Sequence, residues 1–215
     1  MRTKEAPKRP LRRDAEENRR RLLEAARELF AAAGFEVTMD EIAARAGVGV
    51  GTAYRRFASK EELLGALFEE RVNELYAVVE RALLIEDPWE AIAAFLRESV
   101  ELQACDRGLK ELLLSSPRSR EFVTEARARI KPGVDELVQR AAAAGELRPG
   151  TEATDLVMVQ IMLGAVTDLV DESTPDLLHR FLPLLLEGLR GGAPLPARAL
   201  TVDEFDLAME RGHRR

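Results

Sequence analysis

The chain has one cysteine among its 215 residues, Cys105, and two histidines, His179 and His213. A lone cysteine excludes an internal disulfide, and two histidines far apart leave no ligand set for a structural zinc, so a reducing compartment is expected. Aromatic residues make up only 5% of the chain, so a core must rest on Leu, Ala and Val, which the 46% hydrophobic content supplies. Lysine is scarce, with five of the 32 basic residues. No apolar run reaches the ~18 residues of a membrane span. The basic N-terminus MRTKEAPKRPLRRD lacks the apolar segment of a secretory signal, so the cytoplasm is the expected location. Strand-like alternation and internal repeats are absent, while apolar residues recur at helical spacing from end to end. An all-α fold is expected. No nucleophile–base pair, metal cluster or phosphate loop occurs, so neither enzymatic activity nor a cofactor nor a bound metal is expected.

What the chain does contain is the stretch Thr38–Lys60, TMDEIAARAGVGVGTAYRRFASK. Thr38 and Glu41 have the spacing of a capping box, which satisfies the free backbone donors of a helix start. Ile42, Ala43 and Ala46 form a narrow apolar stripe, and Gly47 stands where the helix must end in a left-handed turn. Val48 is placed to plug the angle before a second helix over residues 49–57. Ser59 and Glu62 then cap a third. A helix, a glycine turn and a second helix carrying Arg55 and Arg56 read as a helix-turn-helix.

The segment AARAGVGVGTAYRRFASKEELLGAL resembles the DNA-binding signature of the TetR family of bacterial transcriptional regulators. The similarity reaches back to Leu22 and covers about the first third of the chain, with the glycine turn, Tyr54, Phe57 and Lys60 in register. Gly49 departs from the serine N-cap frequent in the family; glycine is a weaker but acceptable cap. The resemblance implies that the second helix of the motif lies in the major groove of an operator, with Val50, Gly51, Thr52, Tyr54, Arg55, Arg56 and Lys60 facing DNA. Thr38 and Met39 would lie near the backbone or bases. The chemistry of these residues agrees. Thr52 and Tyr54 hydroxyls can bond phosphates, which position without specifying sequence. Arg55 or Arg56 can pair with guanine. Gly51 and Ala53 lack bulk, allowing close approach of the backbone, and Lys60 suits a phosphate. Phe57 reads as core.

Charge is divided along the chain. Residues 1–60 hold 14 Lys and Arg against 9 Asp and Glu, net +5, and the other 155 residues are net −11, together the −6 of the whole. A basic end on an acidic body suits docking of that end on phosphates. Four regions are expected: a disordered basic arm over 1–13, either reaching into a minor groove or merely solvated; a DNA-binding head over 14–60; a helical body over 61–190; and a tail over 191–215 with a capping box at Thr201–Glu204 and one short helix. A first helix starts near Asp14 and ends at Gly34, a long helix from Ser59 passes from head to body as a lever, and Asp87-Pro88-Trp89-Glu90 starts the next. A short helix is expected near 109–114, and a kink or break at Pro132.

The resemblance further implies a homodimer, a palindromic operator, and a body that binds a small-molecule effector, hence a repressor released by ligand. A regulator controlled by a partner or by concentration, or an activator, fits the same residues. Trp89, Phe95, Cys105, Leu112, Phe122, Ile130, Met158 and Met162 are candidates to line the effector pocket, and each also reads as ordinary packing. The segment 154–170 is apolar nearly all round, so it must be covered on both sides. Its Leu156, Val159, Leu163 and Val166, with Leu178, Phe181 and Leu185 of the last body helix, are the candidates for a four-helix dimer interface. His179 reads as an interface or surface residue rather than a metal ligand, and Cys105 as packing rather than a redox sensor.

Overall fold

Local capping and long-range burial together divide the chain into helices. The computed structural model describes residues 9–33, 36–104, 119–167, 169–170, 174 and 176–212. In order, the helices are α1 (Arg9–Ala33), α2 (Met39–Ala46), α3 (Val50–Arg56), α4 (Lys60–Leu83), α5 (Pro88–Ala104), α6 (Ser119–Ala143), α7 (Ala153–Thr167), α8 (Leu177–Leu189) and α9 (Val202–Gly212). Among the described residues there is no strand, only one isolated bridge between Leu147 and Arg190. The fold is all-α, a helix-turn-helix head followed by a helical body. Two compact units are present; α4 gives residues 60–70 to the first and 71–83 to the second.

In the first unit α1 lays Leu22, Leu23, Ala26 and Phe30 against Met39, Ile42, Ala43 and Ala46 of α2, Ala53 of α3, Phe57, and Leu63, Leu64 and Leu67 of α4. Helices of eight and seven residues are too short to persist alone, so α2 and α3 owe their existence to this shared core. The disordered arm expected over residues 1–13 is corrected at its end, because residues 9–13 belong to α1. Pro10 falls in its first turn, where its missing N–H is not needed. Further along, Arg20 bridges Glu17 at 2.8 Å and Glu24 at 3.2 Å on the helix surface. Residues 1–8, the rest of that arm, lie outside the described residues.

In the second unit α5 packs against α6 and α7, and α7 against α8. Their core is aliphatic, as the composition requires: Ile92, Leu96, Val100, Leu137, Leu156 and Leu163 are all fully buried. α6 is not broken at Pro132 but assigned as one helix through it. Burial of Val134, Leu137, Val138 and Ala141 beyond the proline holds the helix together despite the hydrogen bond that the proline removes and the clash of its ring with the preceding turn. Gly133 lets α6 close on α4, since a Cβ there would overlap Val79 Cγ1. Arginines fasten the loops. Arg140 donates to the carbonyls of Leu83 at 2.8 Å and Ile85 at 2.6 Å, and Arg148 to those of Gly188 at 2.9 Å and Ala193 at 3.2 Å.

The tail docks on the body. Thr201 and Glu204 form the expected reciprocal cap, at 2.9 and 3.3 Å. Phe205 is buried under the Arg127 guanidinium of α6, and the Thr154 hydroxyl of α7 donates to Leu200 O at 2.9 Å. The short helix expected near 109–114 lies outside the described residues.

Candidate nucleic-acid interface

The helix-turn-helix is built from short-range signals. Thr38 accepts from Glu41 N at 3.2 Å while its own N–H donates to Glu41 Oε2 at 2.7 Å, closing the capping box. These bonds from the Thr38 backbone and hydroxyl, with the Lys60 charge adding to them, hold the Glu41 carboxyl below its ordinary value. Gly47 ends α2 at φ 63°, its N–H bonding the carbonyls of Ala43 and Ala44. A Cβ at that position would come within 2.6 Å of Arg21 Nη2. Gly49 caps α3 with no side-chain bond, so α3 is held by its carbonyl, which accepts from Thr52 and Ala53 at 2.8 and 3.0 Å.

Ala53 is the side chain that α3 buries. Val50, Gly51, Tyr54, Arg55 and Arg56 are exposed, and Thr52 and Lys60 are half-buried. Arg55 Nη2 donates to Thr52 Oγ1 at 2.9 Å, and Arg56 Nη2 lies 3.7 Å from Glu16 Oε2 of α1. Spacing alone does not make Glu16 legible as part of this surface, since it is forty residues distant. Two expectations are corrected. Met39 is 4% exposed, a core side chain and not a groove contact, because it opens the face of α2 that packs on α1. Ala53 likewise points into the core and cannot ease approach to a groove, whereas Gly51 has open space where a Cβ would be. The Thr38 hydroxyl, already donating to Glu41 Oε2 at 2.8 Å, has its proton committed to the cap.

The body residues divide differently from expectation. Phe95 and Phe122 are buried, and Trp89, Ile130 and Met158 half-buried; Trp89 lies under the Arg190 guanidinium, 5.0 Å from its ring centre. Met162 is 44% exposed and so faces away from the core, against its place among pocket candidates. Cys105 and Leu112 lie outside the described residues. Among interface candidates, Leu156, Val159 and Leu163 are buried in the body's own core, which corrects them, while Val166, Leu178 and Leu185 are half-buried. The apolar side chains left exposed include Ile161 and Met162 on α7 and Phe181 and Leu184 on α8. Ser99 Oγ and Gln160 Nε2, neither anticipated, are buried without a hydrogen-bond partner among the described residues.

A helix-turn-helix with two arginines and two hydroxyls on the exposed face of its second helix defines a DNA-binding protein. The sequence pattern of "Bacterial regulatory proteins, tetR family" matches residues 22–67, and that of "Transcriptional regulator SbtR-like, C-terminal domain" matches 87–191. The chain is 34% identical over 110 residues to the HTH-type transcriptional regulator SrpR of Pseudomonas putida, covering 51% of this chain and 45% of SrpR. It is also 34% identical over 110 residues to the uncharacterized HTH-type transcriptional regulator TtgW of Pseudomonas putida, covering 51% of this chain and 72% of TtgW. A TetR regulatory protein from Mycobacterium vanbaalenii superposes with a TM-score of 0.61 at 35% identity, over 84% of this chain and 99% of that one. The chain belongs to the TetR family of transcriptional regulators. It is a DNA-binding regulator, and the family and these relatives are regulators rather than enzymes.

Proposed function

We propose that the protein is a homodimeric repressor that binds a palindromic operator and is released from it by a small molecule. The observation that carries the reading is the exposed face of α3, where Gly51, Thr52, Tyr54, Arg55 and Arg56 offer donors and close approach to a major groove. Regulators of this family bind operators as dimers, and one head offers too little contact to select a site alone. Ile161, Met162, Phe181 and Leu184 supply an apolar face for a second copy, in place of the water they now meet. The body, whose residues 87–191 match the C-terminal domain of a transcriptional regulator, is the region in which we propose an effector. Residues Trp89, Phe95, Phe122, Ile130 and Met158 are the described candidates to surround it, and α4, which contributes to both units, is the candidate route from body to head. No described helix is long and apolar enough to cross a membrane, and a DNA-binding role suits the cytoplasm.

The test is selection of binding sites from random duplex DNA by the purified full chain, followed by release from the selected site in the presence of metabolite extracts. A palindrome with half-sites about one helical turn apart is expected, with fractions that dissociate the complex. A selected site that no fraction releases would leave a regulator and remove the effector.

A further inference from the structure

Two adjacent arginines on one short helix look interchangeable in sequence, but the head gives them different surroundings. Each residue of an α-helix is turned roughly 100° from the last. Ala53 is buried, so Gly51 and Arg55, two positions to either side, lie nearly opposite it on the outermost line of α3. Gly51 and Arg55 are also one turn apart, hence on the same face. A Cβ on Gly51 would meet nothing within 4 Å, so the approach to Arg55 along that line is clear. Arg56 is turned a further step back toward the buried side, and there its guanidinium faces Glu16 of α1.

Hydrogen bonding sharpens the contrast. Thr52 Oγ1 accepts from Arg55 Nη2 at 2.9 Å. That bond uses one of five guanidinium N–H groups and restrains a side chain otherwise free to change rotamer. Because the hydroxyl accepts in this bond, its own proton stays available for donation. Thr52 and Arg55 together therefore present a held set in which donors outnumber the one hydroxyl lone pair left over. In a major groove, the edge that offers two adjacent acceptors is guanine, through N7 and O6.

We propose that Arg55, positioned by Thr52, reads a guanine in each operator half-site, and that Arg56, tethered to Glu16, contributes backbone affinity without specifying sequence. Glu16 tempers that affinity: its carboxylate competes with phosphate for Arg56 and repels the DNA backbone itself. The proposal rests on α3 entering the major groove.

The experiment is site selection from random DNA, with affinities at several salt concentrations, for the full-length wild type and for Arg55→Ala, Arg56→Ala, Thr52→Val, Thr52→Ser and Glu16→Gln. All these positions lie at the surface of the head, and circular dichroism checks that each variant keeps its helix content. Wild type is expected to show a fixed guanine, and Arg55→Ala to lose preference there by about 5- to 150-fold while other positions hold. Thr52→Val is expected to weaken the same preference and Thr52→Ser to restore it. Arg56→Ala is expected to weaken all sites alike and lower the salt slope by about one. Glu16→Gln is expected to tighten all sites a few-fold at low salt. A guanine preference that survives Arg55→Ala, or that vanishes in Arg56→Ala, overturns the proposal and leaves the groove reading intact. A wild type that selects no sequence at all overturns both.

Discussion

Phe205 of the tail helix sits beneath Arg127 of α6, its ring centre 5.0 Å from the guanidinium carbon. With its side chain buried, this pair makes the C-terminal segment part of the body. Phe205→Ala should cost roughly 3 kcal/mol, within the range for a buried aromatic, and Arg127→Ala should also lower stability, by ~0.5 kcal/mol or more from the ring contact alone. Urea denaturation of the singles and the double variant gives the coupling. Equal midpoints for wild type and Phe205→Ala would mean that the helix is not docked in solution.

The cap of that same helix responds to acid. The Arg198 guanidinium, then the Thr201 backbone and hydroxyl, pull the Glu204 carboxyl from 4.5 down to about 2. A carboxyl with a lowered folded-state pKa binds protons less readily folded than unfolded. Its contribution is therefore complete above the unfolded value and fades as pH falls toward the folded one. Arg198→Ala should lower the denaturation midpoint near neutral pH, and the gap to wild type should narrow between about pH 5 and about pH 2. A gap that stays constant across that window would refute the assignment.

Gly47 and Gly133 should tolerate no side chain, for different reasons. Gly47→Ala forces an L-residue to φ 63° and meets Arg21, so a loss of about 1–2 kcal/mol in stability is expected, together with weaker operator binding. Gly133→Ala gains helix propensity but overlaps Val79, and overpacking of that kind costs about 1–3 kcal/mol. Thermal melts check both, and pairing Gly133→Ala with Val79→Ala should recover much of the second loss but none of the first.

The exposed and buried stripes of α7 and α8 separate assembly from folding. Phe181→Asp with Leu184→Asp should yield a folded monomer in sedimentation velocity at micromolar concentration. Leu163→Ala, which opens a cavity in the body's core, should instead lower stability by about 2–5 kcal/mol and leave association unchanged per folded molecule. Dimers persisting in the aspartate variant would move the interface elsewhere.

These contrasts also show where sequence is informative. Thr38, Gly47, Ser59 and Thr201 announce their helix ends because a cap is a contract between residues three or four apart, and the all-α fold follows from the same short-range grammar. α7 does not announce its orientation. With apolar residues on every side, its period cannot say whether Leu156 and Leu163 or Ile161 and Met162 face inward, and only packing against α5 decides it. Met39 misleads for a related reason: its position in the motif suggests DNA, while its burial is set by α1, remote in sequence. Glu16 beside Arg56, and Arg127 over Phe205, span forty and seventy-eight positions and leave no periodic trace. Pro132 shows local preference yielding to the core beyond it.

Arg140 binds the turn after α4 through the carbonyls of Leu83, Ile85 and Glu86. Carbonyl oxygens belong to every amino acid, so no substitution in that turn can delete an acceptor. The junction is thus lopsided toward mutation. Apart from Leu83 and Ile85, whose side chains also pack on the core, the turn can drift in sequence over generations, whereas its hydrogen bonding hangs on one side chain of the opposite helix.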